Sequence, residues 1–218
     1  MSGPGLGPEP DPGPEAVFPP GFFDRADPTP DTEFYAWPRI VTHIDDAAIA
    51  AVGVLYEELG LDGAVLDLMG SWVSHFRTTP AHLTVLGLNA DELARNHQAA
   101  AAVVHDCNRT PGLPFGAAAF YAASCCVSVD YLTRPLEVFA DVARVLRLGA
   151  PFVCTFSNRC FPTKAIRGWL ATDDDGHLAI VAAYFRLAGG FTEPVALQVT
   201  PPGHRGDPLF AVWARRAG

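Results

Sequence analysis

The stretch from Ala64 to Phe76, Ala-Val-Leu-Asp-Leu-Met-Gly-Ser-Trp-Val-Ser-His-Phe, ends a short apolar run on one carboxylate, Asp67, and turns at once on Gly70 and Ser71. A buried strand that closes on an acid and a glycine turn is how a nucleotide-type ligand is received at the carboxyl edge of a parallel sheet. Two later apolar runs also end on polar clusters, Asp130-Tyr131 and Ser157-Asn158-Arg159. The same edge would present these to a bound molecule. Asp130, Tyr131, Asn158 and Arg159 are therefore candidates for contact with a substrate, and Tyr131 and Asn158 for a direct part in the reaction. An arginine at position 159 favours an anionic or carboxylate-bearing partner.

The elements that position these residues follow from periodicity. Asp45 and Asp46 suit a helix start, Ile49, Val52, Leu55, Tyr56 and Leu59 recur at helical spacing, and Gly60 suits the stop. Ala64 to Leu68 reads as a buried strand and His82 to Leu88 as a second. Asp91 to about Val104 reads as an alanine-rich helix. Ala119 to Val129 contains a third strand, Pro135 to Gly149 a helix, and Pro151 to Phe156 a fourth strand. Pro162 opens another helical stretch, continued from Leu178 to Leu187. Val195 to Thr200 and Leu209 to Ala214 are strands joined by too short a loop for a crossover, so they pair antiparallel. Residues 1–33 are expected to be a disordered Pro/Gly-rich tail, because nearly half of the 20 prolines lie there. Phe18, Phe22 and Phe23 are the side chains by which it would dock.

Composition narrows the function. The chain has 218 residues, 49% of them apolar, enough for one domain with a substantial core. Its 15 basic and 24 acidic residues give a net charge of −9, which argues against nucleic acid or an anionic membrane as partner. No apolar run reaches the roughly 18 residues of a membrane span. The N-terminus has no signal-peptide pattern, so a cytoplasmic location is expected. The five cysteines include no CxxC and no metal-ligand spacing; reduced, mostly buried thiols and no metal site are expected.

Order and spacing together carry a resemblance. A helix precedes the first strand, Asp67 ends that strand, and Leu88-Asn89 ends the second. His105-Asp106-Cys107-Asn108 is followed by Leu113-Pro114-Phe115, a helix closes on Arg144-Val-Leu-Arg-Leu-Gly149, and a hairpin ends the chain. Residues 40–216 thus resemble the class I S-adenosylmethionine-dependent methyltransferases, in particular the small bacterial methyltransferase-11-like type with a variant first motif. The resemblance implies a Rossmann-like three-layer α/β sandwich over 34–218, with a mostly parallel seven-stranded sheet and an antiparallel C-terminal strand. It implies S-adenosyl-L-methionine as cofactor and a small-molecule methyl acceptor. By position, Asp67, Met69, Gly70 and Ser71 would face the cofactor's methionine part, and Leu88 and Asn89 its ribose. Asp106 and Cys107 would face its adenine, and Val127 with Ser128 would floor the methyl group. An N-terminal segment often lids the site in this family, which makes Arg39 and His43 candidates for acceptor binding and His43 a third candidate for catalysis.

The chain departs from the family pattern at three places. Met69 stands where glycine is usual, and a side chain there resists positive φ. Asn89 replaces an acid, so any ribose contact is neutral; Asn is also a favoured N-cap. Too few residues separate Ser71 from the second strand for the usual long helix. A pyrophosphate cofactor would need that helix N-terminus, so its loss, like the terminal hairpin, disfavours a nicotinamide reductase, whereas S-adenosylmethionine has no phosphate and tolerates it. The missing glycines leave a non-catalytic methyltransferase-like scaffold or ligand-binding protein as the alternative.

Overall fold

The computed structural model describes residues 17–201 and 203–218. Seven strands form one sheet: β1 (Ala64–Leu68), β2 (His82–Gly87), β3 (Ala101–Val104), β4 (Ala122–Cys126), β5 (Pro151–Phe156), β6 (Val195–Gln198) and β7 (Phe210–Arg215). Their order is β3-β2-β1-β4-β5-β7-β6. β1 to β5 run parallel, and β7 pairs antiparallel with both β5 and β6. This is the mostly parallel sheet with a terminal hairpin that the sequence predicts. The chain leaves β1 toward β2 and β3, then returns to β4 on the other side of β1. Such a reversal opens a crevice beyond the carboxyl ends of the strands.

Successive strand residues face opposite sides. Leu66, Leu68, Leu86, Cys125, Phe152 and Cys154 join the larger core with residues of α4 (Pro135–Val145) and α6 (Asp174–Ala188). Val65, Leu83, Val85, Ala122 and Val153 join the smaller core with α2 (Asp46–Leu59). Asp67, two residues beyond Val65, therefore faces α2. That helix is capped as expected: Asp45 accepts from the Ala48 amide. The remaining helices are short: α1 (Asp31–Phe34), α3 (Ala90–Leu93) and α5 (Arg167–Leu170). No helix stands between β1 and β2. No helix among the described residues is long and apolar enough to cross a membrane.

Two expectations give way. The helix expected over 91–104 shrinks to α3, and residues 101–104 form β3 instead. Alanine favours helix only weakly as a prior. Here the residues alternate between half-buried and exposed, and pairing with Thr84 to Gly87 of β2 decides their conformation. The disordered tail expected through residue 33 is a packed strap over 17–33. Phe18 is buried against Tyr184 and packs at a tilt against Phe22 and Phe23. The Phe22 and Asp24 carbonyls accept from Gly168 and Arg167, and Asp27 donates to Thr163. Three aromatic rings supply burial that the surrounding prolines and acids cannot, and that offsets the entropy of ordering the segment. The part of the expected tail over 1–16 lies outside the described residues.

Candidate active site

A cavity of about 270 Å³ occupies the crevice beyond β1, β2 and β4. Its floor is where β1 and β2 end. Met69 turns the chain with φ +54°, a left-handed conformation costing a non-glycine residue about 1–2 kcal/mol. The expectation that methionine would keep the backbone from this region is thus overturned; the turn carries the strain. Gly70 then donates to the Leu86 carbonyl at 2.9 Å. A Cβ on Gly70 would stand 2.6 Å from Val85 and 2.9 Å from Asp67, and one on Gly87 would collide with the Gly70 carbonyl oxygen. Only this glycine pair lets the two strand ends meet.

Asp67 lies on the cavity wall, 4% exposed. Its Oδ2 accepts from Ser74 Oγ at 2.5 Å and its Oδ1 from Ser124 Oγ at 2.9 Å. Burial pushes its pKa up to about 6, against the opposing pull of those two hydroxyls. The loop that replaces a helix after β1 is held by side chains that sequence reasoning missed. Glu92 accepts from Ser71 Oγ at 2.5 Å. Asn96 donates to Ser71 O and Ser74 Oγ, and Gln98 to Phe76 O. The available signal was the missing helix itself: a loop with no helical ladder needs other partners. Three amide or acid side chains within an alanine-rich segment were the candidates.

At the end of β2, Asn89 caps α3, its Oδ1 accepting from Asp91 and Glu92. Its Nδ2 donates to the Tyr35 and Ala36 carbonyls of the strap. Both polar ends of Asn89 are thus taken by protein. Asp106 accepts from the amides of Asn108 and Arg109 through Oδ1, which fixes the turn carrying Cys107. Cys107 is buried, and burial raises its thiol to about 12. After β4, Val127 adopts φ +48°, rarer still for a β-branched residue. Ser128 Oγ donates to the Met69 carbonyl at 3.1 Å, so the two strained turns are tied together.

The opposite rim comes from the strap and the loop after β5. Lys164, fully buried, donates to the Thr29 carbonyl at 2.6 Å and lies 3.2 Å from Asp27 and 3.5 Å from Asp31. Asp31 also accepts from Arg25 and Asn108. Phe161 meets the rings of Phe34, Tyr35, His43 and Tyr131 at 5.3–6.4 Å. Tyr131 accepts from the Phe161 amide at 2.8 Å. Burial raises the pKa of its hydroxyl, so it keeps its proton. Trp72 donates to Val41 O at 3.1 Å and pins the strap from the other side.

The cavity wall includes Arg39, His43, Asp67, Met69, Gly70, Ser71, Leu88, Asn89, Asp106, Cys107, Val127, Tyr131 and Arg159. Two expected residues are not on it. Asp130 points into the protein, buried, with Oδ2 unpartnered and its pKa pushed up to about 8 by burial. Asn158 is exposed to solvent. Asp130 lies in a 3-10 turn over Val129–Tyr131 that turns its side chain inward, and Asn158, two residues past the end of β5, faces solvent: local backbone geometry, not residue type, decides the direction. Asp31, Tyr56, Glu92 and Phe161 line the cavity without having been singled out. Their signal lay only in tertiary contacts. Tyr56 is the most telling, since its buried hydroxyl, near Ser124 and Thr155, makes no hydrogen bond of normal geometry among the described residues. The glycine cradle, the carboxylate of Asp67 and this hydroxyl fit a cofactor with a polar amino-acid end and no phosphate.

Strand order and crevice define the fold as that of the class I S-adenosylmethionine-dependent methyltransferases. Among solved structures, the chain is similar to the 1,6-didemethyltoxoflavin-N1-methyltransferase of Burkholderia thailandensis, which holds its substrate and S-adenosylhomocysteine. Identity is 19% over 80% of each chain, with a TM-score of 0.57. It is similar to a SAM-dependent methyltransferase from Aquifex aeolicus, at 14% identity over 86% of this chain and 97% of the other, TM-score 0.56. The [4+2]-cyclase SpnF shares the fold at 14% identity, covering 85% and 91%, TM-score 0.54. At these identities the likeness is one of fold. No family model and no curated protein sequence matches the chain.

Proposed function

We propose that this protein is an S-adenosylmethionine-dependent methyltransferase acting on a small-molecule acceptor. The observation that carries the reading is the cavity floor, where Gly70 and Gly87 let two strand ends touch beside the Asp67 carboxylate. Asp67 would accept from the cofactor's ammonium group, Gly70 and Ser71 would flank its methionine part, and Leu88 and Asn89 its ribose. Asp106 and Cys107 would meet the adenine, and Val127 the region of the methyl group. When bound, the cofactor supplies a methyl group already activated on a sulfonium. The chain's remaining task is to orient the acceptor and keep water out, which can supply much of the acceleration. Tyr131, protonated and anchored to Phe161, orients rather than abstracts. His75 lines the cavity with its pKa lowered by burial and by His43, so it is neutral at neutral pH and able to accept a proton from an acceptor that carries one. The functional unit includes the strap from residue 17 and does not begin at 34.

A second reading, a non-catalytic ligand-binding protein of this fold, is favoured by Asn89, whose donor and acceptor are both spent on protein. Isothermal calorimetry with S-adenosylhomocysteine, followed by transfer of labelled methyl from S-adenosylmethionine into a small-molecule extract, separates the two. Binding with transfer is expected. No binding of either cofactor form sinks the enzyme reading, and binding without transfer selects the second.

A further inference from the structure

Arg39 crosses the top of the cavity. Its backbone amide donates to Glu92 at 2.6 Å and its Nη2 to the Phe34 carbonyl at 2.8 Å. The guanidinium lies over the rings of Phe34, Tyr35 and Phe161, at 4.4, 5.1 and 5.5 Å from their centroids. Its Nη1 is buried and has no partner among the described residues. An unpaired donor on a buried cation is costly, and the cost is relieved by a ligand oxygen. The other charged side chains on the wall each hold hydrogen bonds within the protein, Asp106 through Oδ1 alone. Asp31 is held by Arg25 and Asn108, Glu92 by Ser71 and Arg39, and Asp67 by two serines. Arg159 is bound to Asp207 at 2.6 Å and is 65% exposed. The buried charged donor left without a partner at the cavity is therefore cationic, and it stands among aromatic rings.

We infer that the methyl acceptor is a small planar carboxylate whose anionic group pairs with Nη1 of Arg39 while its body lies against Tyr35, Tyr131 and Phe161. This rests on the methyltransferase reading above. A carboxylate could also come from the cofactor's methionine end. The guanidinium, however, leans on Phe161, which follows β5, and only the Arg39 backbone amide reaches toward the cradle, through Glu92 and Ser71. That position assigns Arg39 to the acceptor.

The test uses the full chain, saturated with S-adenosylhomocysteine. Ligand-observed NMR competition compares benzoate, 4-hydroxybenzoate and indole-3-carboxylate with their primary amides, for wild type, Arg39→Gln and Arg39→Lys. At least one acid should bind about tenfold more tightly than its amide, roughly 1.4 kcal/mol. That preference should vanish in Arg39→Gln and return in part in Arg39→Lys. Loosening of the strap alone would weaken acid and amide together, so the acid-to-amide ratio reads the charge. Three results overturn the inference: no preferred acid in the wild type, a preference that survives Arg39→Gln, or loss of S-adenosylhomocysteine affinity in Arg39→Gln without a change in the ratio, which moves Arg39 to the cofactor. Failure of wild type to bind S-adenosylhomocysteine is a separate result that removes the methyltransferase reading itself.

Discussion

On the β1–β2 rim of the cavity, hydrogen bonds span shorter stretches of chain: seven residues from Asp67 to Ser74, 21 from Ser71 to Glu92, 57 from Asp67 to Ser124 and 59 from Met69 to Ser128. On the strap rim the corresponding contacts span 77 residues from Asp31 to Asn108 and 135 from Thr29 to Lys164. The first rim is short polar side chains around a backbone turn held at positive φ. The second is rings and one buried ammonium. The difference divides the labour: backbone geometry at the β1–β2 rim suits an invariant cofactor, and side chains at the strap rim suit an acceptor that sets specificity.

Removing the ammonium tests that division most severely. Lys164→Met should cost about 3 kcal/mol, because buried carboxylates lose a partner. Hydrogen exchange should show protection lost over residues 17–43 with S-adenosylhomocysteine affinity little changed; loss of protection across β1 and β2 as well would mean the rims are not separate. The converse is Gly87→Ala. Its methyl meets a backbone carbonyl that cannot move away, so about 2 kcal/mol of stability should go, as in overpacked cores. Calorimetry should register at least about a tenfold loss of cofactor affinity while the strap keeps its protection.

Asp67 gives a gentler probe through pH. Its pKa rises from 3.8 to about 6 on folding, so between those values the folded state binds a proton that the unfolded state does not. Stability should therefore be greatest at the acid end of that window and fall as pH rises toward 6, then level off. Asp67→Asn should flatten this slope in urea titrations. Cofactor affinity should run the opposite way in the wild type, rising with pH up to about tenfold per unit below pH 6 as the carboxylate ionises. The smallest effect is at Met69. Met69→Gly should change stability by less than about 1 kcal/mol, relief of positive φ offsetting lost packing, whereas Met69→Ile should cost about 2 kcal/mol. Equal midpoints for the two variants would show that the turn is not strained.

The two rims also differ in how far they could be read in advance. Asp67, Gly70 and Asn89 lie at strand ends, and strand ends follow from apolar runs and their breaks; Asp106 follows β3, which reads as helix in the sequence, and only the family resemblance pointed to it. Position therefore placed the first three on the wall even where their partners were unforeseen. Met69 shows the limit: residue preference argued against positive φ, and the closed approach of Gly70 to Gly87 prevailed. The strap rim was legible only in part: Arg39, His43, Tyr131 and Arg159 reach the wall as expected and the expected phenylalanines dock, but their partners were not foreseen. Lys164, Asp31 and Phe161 carry no local signal, since a lone lysine after a proline reads as a solvated surface. Their roles exist only once residues far apart are brought together. Asp130 and Asn158 failed for a related reason, being correct in element and wrong in direction.

The long reach from Thr29 to Lys164 has a consequence in time. Loops of such length close late, after nearer contacts have formed, and synthesis runs from the N-terminus. The strap leaves the ribosome well before the lysine that will hold it. Strands β1 to β5 and the glycine cradle are made first, in a chain whose Phe18, Phe22 and Phe23 are still waiting for a surface. Those three rings are the segment's greatest exposure to misassociation during biogenesis, and they are covered only once Gly168 and Tyr184, against which Phe22 and Phe18 pack, have followed.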